Sequence, residues 1–208
     1  MQRTHVQTLG AVGCFTGMYL VIAILAALRL QNWEFVLYIF VVFAFAFVAV
    51  ALRIKIHLPI SMLWALSVWG LLHMAGGLFP VPAGWATDGG KQVLYSLWVF
   101  TDLLKYDQLV HAYGFGVATL ICWWALKLLL RRSVTSGGVL LFCVLAGMGL
   151  GAFNEMIEFF AVLLLPETNV GGYINTGWDL VFNFLGCVIA AVLIRVYAER
   201  RSPISISE

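Results

Sequence analysis

YDQLVHAYGFGVATLICWWALKLLL, residues 106–130, decides how this chain is read. After His111 the run stays apolar but for Thr119 and Lys127. At about 1.5 Å of rise per residue it is long enough to cross a hydrocarbon layer of about 30 Å. Its one polar cluster, Asp107 and His111, lies a helical turn apart at one end. The stretch therefore reads as a membrane span with acid and imidazole just inside one surface.

The whole chain has the same character. Over 208 residues it is 62% hydrophobic and 11% charged, with a mean hydropathy of +0.97. Soluble domains carry about a quarter charged residues, so this composition excludes one and calls for an integral membrane protein. A net charge of +2 without a basic face argues against nucleic-acid binding. Cys14, Cys122, Cys143 and Cys187 all fall in apolar runs and form no C-x-x-C pair, which fits apolar packing better than zinc or disulfides.

Apolar runs place spans near 9–30, 33–52, 59–79, 107–130, 137–165 and 178–197, which gives an all-α polytopic bundle of about six helices. The reading is of one membrane domain, 1–208, with the lipid bilayer as its solvent. The first run, Leu9 to Leu30, exceeds a signal-peptide core and no small-residue cleavage site follows it, so it is expected to stay as a span. Six crossings put both termini on one side, here side A. That side receives Arg3, Arg53, Lys55, Lys127, Arg131, Arg132, Arg195, Arg200 and Arg201, against Arg29, Lys91 and Lys105 on side B. The positive-inside rule then makes side A cytoplasmic and side B periplasmic or extracellular.

One long connection, from Pro80 to Tyr106, interrupts the pattern. VPAGWATDGG is a turn-rich loop, and QVLYSLWVFTDLL (92–104) is apolar but too short to span, which predicts a short interfacial or re-entrant helix over the side B end. A seventh crossing there is opposed by Asp88, Pro80, Pro82 and the glycines.

Polar residues converge in depth once the spans are threaded. Counted from the side B ends at the helical rise, His111, Asn183, His73 and Glu158 lie about 6 to 12 Å in. Within each span the polar groups share a face: Asp107 with His111; Glu155 with Glu158, with Asn154 beside them; Asp179 with Asn183. Gly114, Gly151 and Gly186 continue those faces with small residues that let helices approach. Ionisable groups in hydrocarbon cost at least a few kcal/mol each, so several at one depth point to a functional site.

The ordinary readings are weighed beside that one. His73 alone reads as readily as a helix-to-helix hydrogen-bond partner, and Asp102 or Asp107 as an acid favoured at a helix N-terminus. Trp33, Trp85, Trp98 and Trp178 are simplest as interfacial anchors. Glu155 and Glu158, paired within a span and without a nearby basic residue, resist such an account.

The motifs YDQLVHAYGFG (106–116), NEMIEFF (154–160) and WDLVFNFLG (178–186), with HMAGG at 73–77, resemble the uncharacterised bacterial inner-membrane family that includes YjdF. More distantly, the order D-x-x-x-H, E-x-x-E, D-x-x-x-N-x-x-G looks like that of VanZ-like membrane proteins, with differences around the second acid. Neither resemblance implies an established reaction. The VanZ-like one, associated with glycopeptide tolerance and the cell envelope, favours an envelope or lipid-linked substrate.

The leading expectation is a membrane-embedded hydrolase or transferase acting near the outer leaflet on a lipid or lipid-linked substrate. Glu155, Glu158, His111 and Asp107 are its candidate catalytic residues, and His73, Asn154 and Asn183 its candidate substrate contacts. His111, Glu155, Glu158 and Asp179 are the donors for a divalent metal, if the chemistry is metal-assisted rather than acid/base. The alternatives are a proton- or cation-coupled transporter and a structural or regulatory subunit. No feature of the sequence sets an oligomeric state.

Overall fold

Leu, Val, Ile, Ala and Phe in hydrocarbon find no water for their backbone groups, so each apolar run closes its hydrogen bonds within a helix. A computed structural model of the protein describes residues 2–89, 91–131 and 135–201, apart from the side chains of 2–7 and 198–201. Its helices are α1 (Gln2–Arg29), α2 (Trp33–Ile56), α3 (Ile60–Leu78), α4 (Tyr106–Leu129), α5 (Gly137–Leu164) and α6 (Tyr173–Arg201). Each is long and apolar enough to span a membrane. The chain is an integral membrane protein with the six expected crossings among its described residues.

Local chemistry sets the ends. Asn32 caps α2 by accepting the Phe35 backbone N–H at 3.2 Å. His57 turns out of α2 with a left-handed φ of 49°, and Pro59 begins the next helix. Pro166, which cannot continue a helix, follows the end of α5.

The helices pack as two groups of three. In the first, α1, α2 and α3 bury Tyr19, Ala23, Ala27, Phe35, Tyr38 and Met74 against one another, with Ala161 of α5 closing the side. In the second, α4, α5 and α6 enclose Phe115, Val144, Cys187 and Ala191. Contact of α3 with α4 joins the two groups. The α4–α6 crossing is the tightest because Gly116 and Gly186 face it: a Cβ on Gly116 would meet the Gly186 carbonyl oxygen at 3.1 Å, and one on Gly186 would collide with the backbone of Ala112. That approach brings the face of Asp107 and His111 against the face of Asp179 and Asn183.

The expected interfacial helix over 92–104 is not there. In its place are a 3-10 turn at Leu94–Ser96 and a small antiparallel hairpin, β1 (Trp98–Phe100) with β2 (Leu104–Lys105). Trp98, Val99 and Phe100 suit an extended strand, and Asp102, at a φ of 58°, adopts the left-handed turn conformation that aspartate tolerates. Bridges between Pro80 and Val93 and between Thr87 and Leu97 stitch the segment to the preceding loop. Apolar content alone suggested a helix; strand-prone residues around a tight turn decide otherwise.

Described basic residues divide as expected, with Arg53, Lys55, Lys127, Arg131 and Arg195 towards the side A ends of the helices and Arg29, Lys91 and Lys105 towards side B. Arg132 and the side chains of Arg3, Arg200 and Arg201 lie outside the described residues. Trp33, Trp85 and Trp178 are each more than half exposed at the side B end, as anchors would be.

Candidate functional site

His111 sits at the centre of the polar cluster. It is buried, and its Nδ1 lies 3.0 Å from Asn183 Oδ1 and 3.6 Å from Glu155 Oε1. Its Nε2 lies 3.6 Å from Asp107 Oδ1, one turn back on the same helix. The imidazole is therefore held between carboxylates of two helices and an amide of a third.

Asp179 and Asn183, one turn apart on α6, are 1% and 0% exposed. Asn175, a turn earlier, donates to Asp179 Oδ2 at 2.6 Å and to Asp107 Oδ2 at 3.5 Å. On α5, Asn154 donates to Glu158 Oε1 at 2.8 Å. Gly151 makes room for Asn183, whose amide nitrogen would lie 2.8 Å from a Cβ there. Asp107, His111 and Asp179 each bring a ligand atom within 4.8 Å of the others, as do His111, Glu155 and Glu158. The donors expected for a metal thus fall into two overlapping sets rather than one.

Three polar atoms of the cluster are buried without a hydrogen-bond partner: Glu155 Oε1, Asp179 Oδ1 and Asn183 Nδ2. Such atoms cost about 1–3 kcal/mol each, and native structures leave few of them. They mark spare bonding capacity at the centre.

His73 approaches from the other group of helices. Its Nδ1 contacts the Tyr95 hydroxyl, and Phe35, Tyr38 and Trp69 surround the ring. A cavity of about 30 Å³ joins it to Tyr95, Asp107, Glu158 and Asn175. Burial holds the Tyr95 phenol well above its ordinary range, with the charges of Asp107 and Glu158 acting in the same direction, so it stays protonated. Every residue expected at the site reaches this cluster or its wall. Asp102 does not; it is exposed at the hairpin turn.

Above the cluster lies a polar vestibule of about 560 Å³, walled by Asp88, Lys91, Lys105, Asn169 and Asn175, with Asp107 shared with the small cavity below. Lys105 is buried, 3.1 Å from Asp88 Oδ2, and its ammonium also contacts Asn175 Oδ1. Glu34, buried at the start of α2, accepts the Asn169 backbone N–H at 2.7 Å and so ties the 165–172 loop to the first helix group. Trp98, Leu103, Ile174 and Trp178 line an adjoining hollow of about 300 Å³.

Sequence reasoning missed Asn175, Lys105, Tyr95 and Glu34. Asn175 had a legible signal, since Asn175, Asp179 and Asn183 repeat every four residues. A span started at Trp178 cut it off. Lys105 and Tyr95 meet the site through the fold of the 79–105 segment, and Glu34 through the 165–172 loop, which no local pattern discloses.

This buried His/Asp/Glu/Asn cluster stands in a chain whose residues 11–200 match the model of the family described as "Predicted membrane protein (DUF2238)". The chain belongs to this family. The match to this membrane family agrees with the resemblance to the family that includes YjdF and covers every element that builds the site. No curated protein and no solved structure matches the chain.

Proposed function

We propose that the protein is a membrane-embedded hydrolase or transferase acting on a lipid or lipid-linked headgroup at the side B surface, the outer leaflet of a plasma (inner) membrane with both termini cytoplasmic. The observation that carries this is the set of unpartnered buried atoms on Glu155, Asp179 and Asn183 beneath a polar vestibule. A cluster that only locked helices together would spend those atoms on one another. The vestibule adjoins a hollow where Trp98, Leu103, Ile174 and Trp178 stand beside the polar Asp88, Asp102, Lys105, Gln108 and Asn175, a mixed lining suited to the junction of a headgroup with its acyl chains. The more distant resemblance to VanZ-like proteins leans the same way.

In this reading Glu158 or Glu155 moves the proton, His111 and Asp179 activate water or would hold a metal that does, and Asp107 orients His111. Asn154 positions Glu158, while His73 and Asn183 contact the substrate. Transport is supported less well, because towards side A the centre of the α4–α6 group is filled by Phe115, Val144 and Cys187 and then by Trp123, Cys143 and Ile194.

The test is turnover. Protein reconstituted in bacterial lipid extract, with lipid mass spectrometry as readout, is expected to release or transfer a headgroup, and folded Glu158→Gln to lose at least about 100-fold. Unchanged lipids with folded wild-type protein, or full activity in the Glu158→Gln variant, would remove the reading.

A further inference from the structure

The two overlapping donor sets share one imidazole, and a neutral imidazole has a single lone pair. Only one set can use it. Nδ1 faces two oxygens, Asn183 Oδ1 at 3.0 Å and Glu155 Oε1 at 3.6 Å. A bare nitrogen there would set its lone pair against theirs, so Nδ1 carries the proton and Nε2 is the free donor.

Nε2 then faces Asp107 Oδ1 at 3.6 Å, which is too long for a hydrogen bond. Two ligands that each sit about 2.1 Å from a tetrahedral ion are separated by roughly 3.4 Å. Asp179 offers a carboxylate oxygen within 4.8 Å of ligand atoms of both Asp107 and His111. Its Oδ2 is occupied by Asn175, and its buried Oδ1 has no partner. A proton or a metal ion can relieve a lone pair and two carboxylates turned together; the 3.6 Å gap is long for a proton and fits an ion.

We propose that Asp107, Asp179 and Nε2 of His111 hold a single divalent first-row transition-metal ion, with Asn183 Oδ1 accepting the Nδ1 proton, the Glu155 carboxylate beside it, and Glu158 outside the coordination shell. This revises the expected donor set, which placed both glutamates on the metal. Two oxygens and one imidazole nitrogen suit Zn²⁺, Mn²⁺ or Fe²⁺. The Asn183 amide oxygen behind the imidazole fixes its tautomer, as outer partners of metal-bound histidine commonly do. Glu158, held by Asn154 and lining the small cavity, is left free to exchange a proton with a water or substrate hydroxyl. Asp107 also lines the vestibule, so the remaining coordination positions lie on the side from which a substrate oxygen arrives.

The proposal rests on the cluster being a functional centre, but not on the identity of the substrate. Its test uses the metal alone. Full-length protein in mild detergent, stripped and titrated with Zn²⁺, is expected to bind one ion per chain by elemental mass spectrometry. The Co²⁺-loaded form should show the visible absorption of a protein-bound ion. Asp179→Asn and His111→Gln, checked by gel filtration and thermal unfolding, should weaken binding at least about 100-fold. Glu155→Gln should weaken it about 10-fold, and Glu158→Gln less than about threefold. If Asp179→Asn does not fold, Asp179→Glu keeps the charge and is expected to weaken binding and alter the Co²⁺ spectrum. A Glu158→Gln loss as large as that of His111→Gln would move the ion to the other set and overturn the assignment. So would two ions per chain, or none at millimolar Zn²⁺. One ion bound in the assigned manner without lipid turnover would uphold the site while removing the hydrolase or transferase reading.

Discussion

The two groups of three helices use close-packed glycine differently: on α3, Gly70, Gly76 and Gly77 make room for the aromatic rings of Tyr19, Tyr95 and Phe35, whereas between α4, α5 and α6 the close glycines admit backbone and short side chains. In α4–α6, Gly116, Gly147, Gly151 and Gly186 each have a neighbour pressed against the missing side chain, and the acids, histidine and asparagines lie on the faces so joined. On α1, Gly10, Gly13 and Gly17 face open space, and the groove beside them, about 510 Å³, is lined mostly by apolar side chains. The first group packs much as any apolar bundle does. The second is built so that backbones come close enough for short polar side chains to meet across them, and a buried polar centre needs that closeness more than it needs extra apolar area.

The contrast is sharpest at paired glycines. Gly186→Val drives a branched side chain into the Ala112 backbone, where no rotamer relieves it, and is expected to abolish monodisperse protein on gel filtration. Gly13→Val, in open space, should leave the thermal midpoint within a few degrees. Similar loss from both would dissolve the distinction between the groups.

Lys105→Met should come next in size. It leaves Asp88 and Asn175 facing an apolar tip inside the vestibule wall, at a cost of about 1–3 kcal/mol, measurable as a lowered unfolding midpoint. In the first group, the Thr16 to Ser67 hydrogen bond of 2.6 Å links two helices within the membrane. Its removal by Ser67→Ala should cost only about 0.6 kcal/mol, the average for such bonds in a bilayer.

The smallest effect concerns pH. Because the Tyr95 phenol is held above its ordinary value of about 10, an unfolded chain releases that proton first as pH rises. Its contribution is complete below pH 10 and shrinks as pH rises towards the folded value. Tyr95→Phe should therefore flatten the alkaline decline in stability, and an unchanged slope would show that the phenol is not shielded.

Periodicity made much of this legible. Spans, their number and the meeting of Asp107, His111, Glu155, Glu158, Asp179 and Asn183 follow from run length and the spacing of polar residues, because a helix in hydrocarbon has few conformational alternatives. The 79–105 segment escaped because its bonds run between residues far apart in sequence, such as Asp88 with Lys105 and Tyr95 with His73. Division of the donors into two sets escaped too. It depends on which nitrogen of His111 faces which helix, and spacing along a chain carries no information about that.

The α4–α6 crossing also imposes an order on biogenesis. During synthesis α4 and α5 enter the membrane with Asp107, His111, Glu155 and Glu158 before Asn175, Asp179 and Asn183 have been made. Until the last helix docks along Gly116 and Gly186, those side chains have no partners on α6. Before residue 173 is made, Asp107 lacks the Asn175 amide and His111 lacks the Asn183 oxygen that each meets in the finished protein. The polar centre is thus completed only by the last helix to be made.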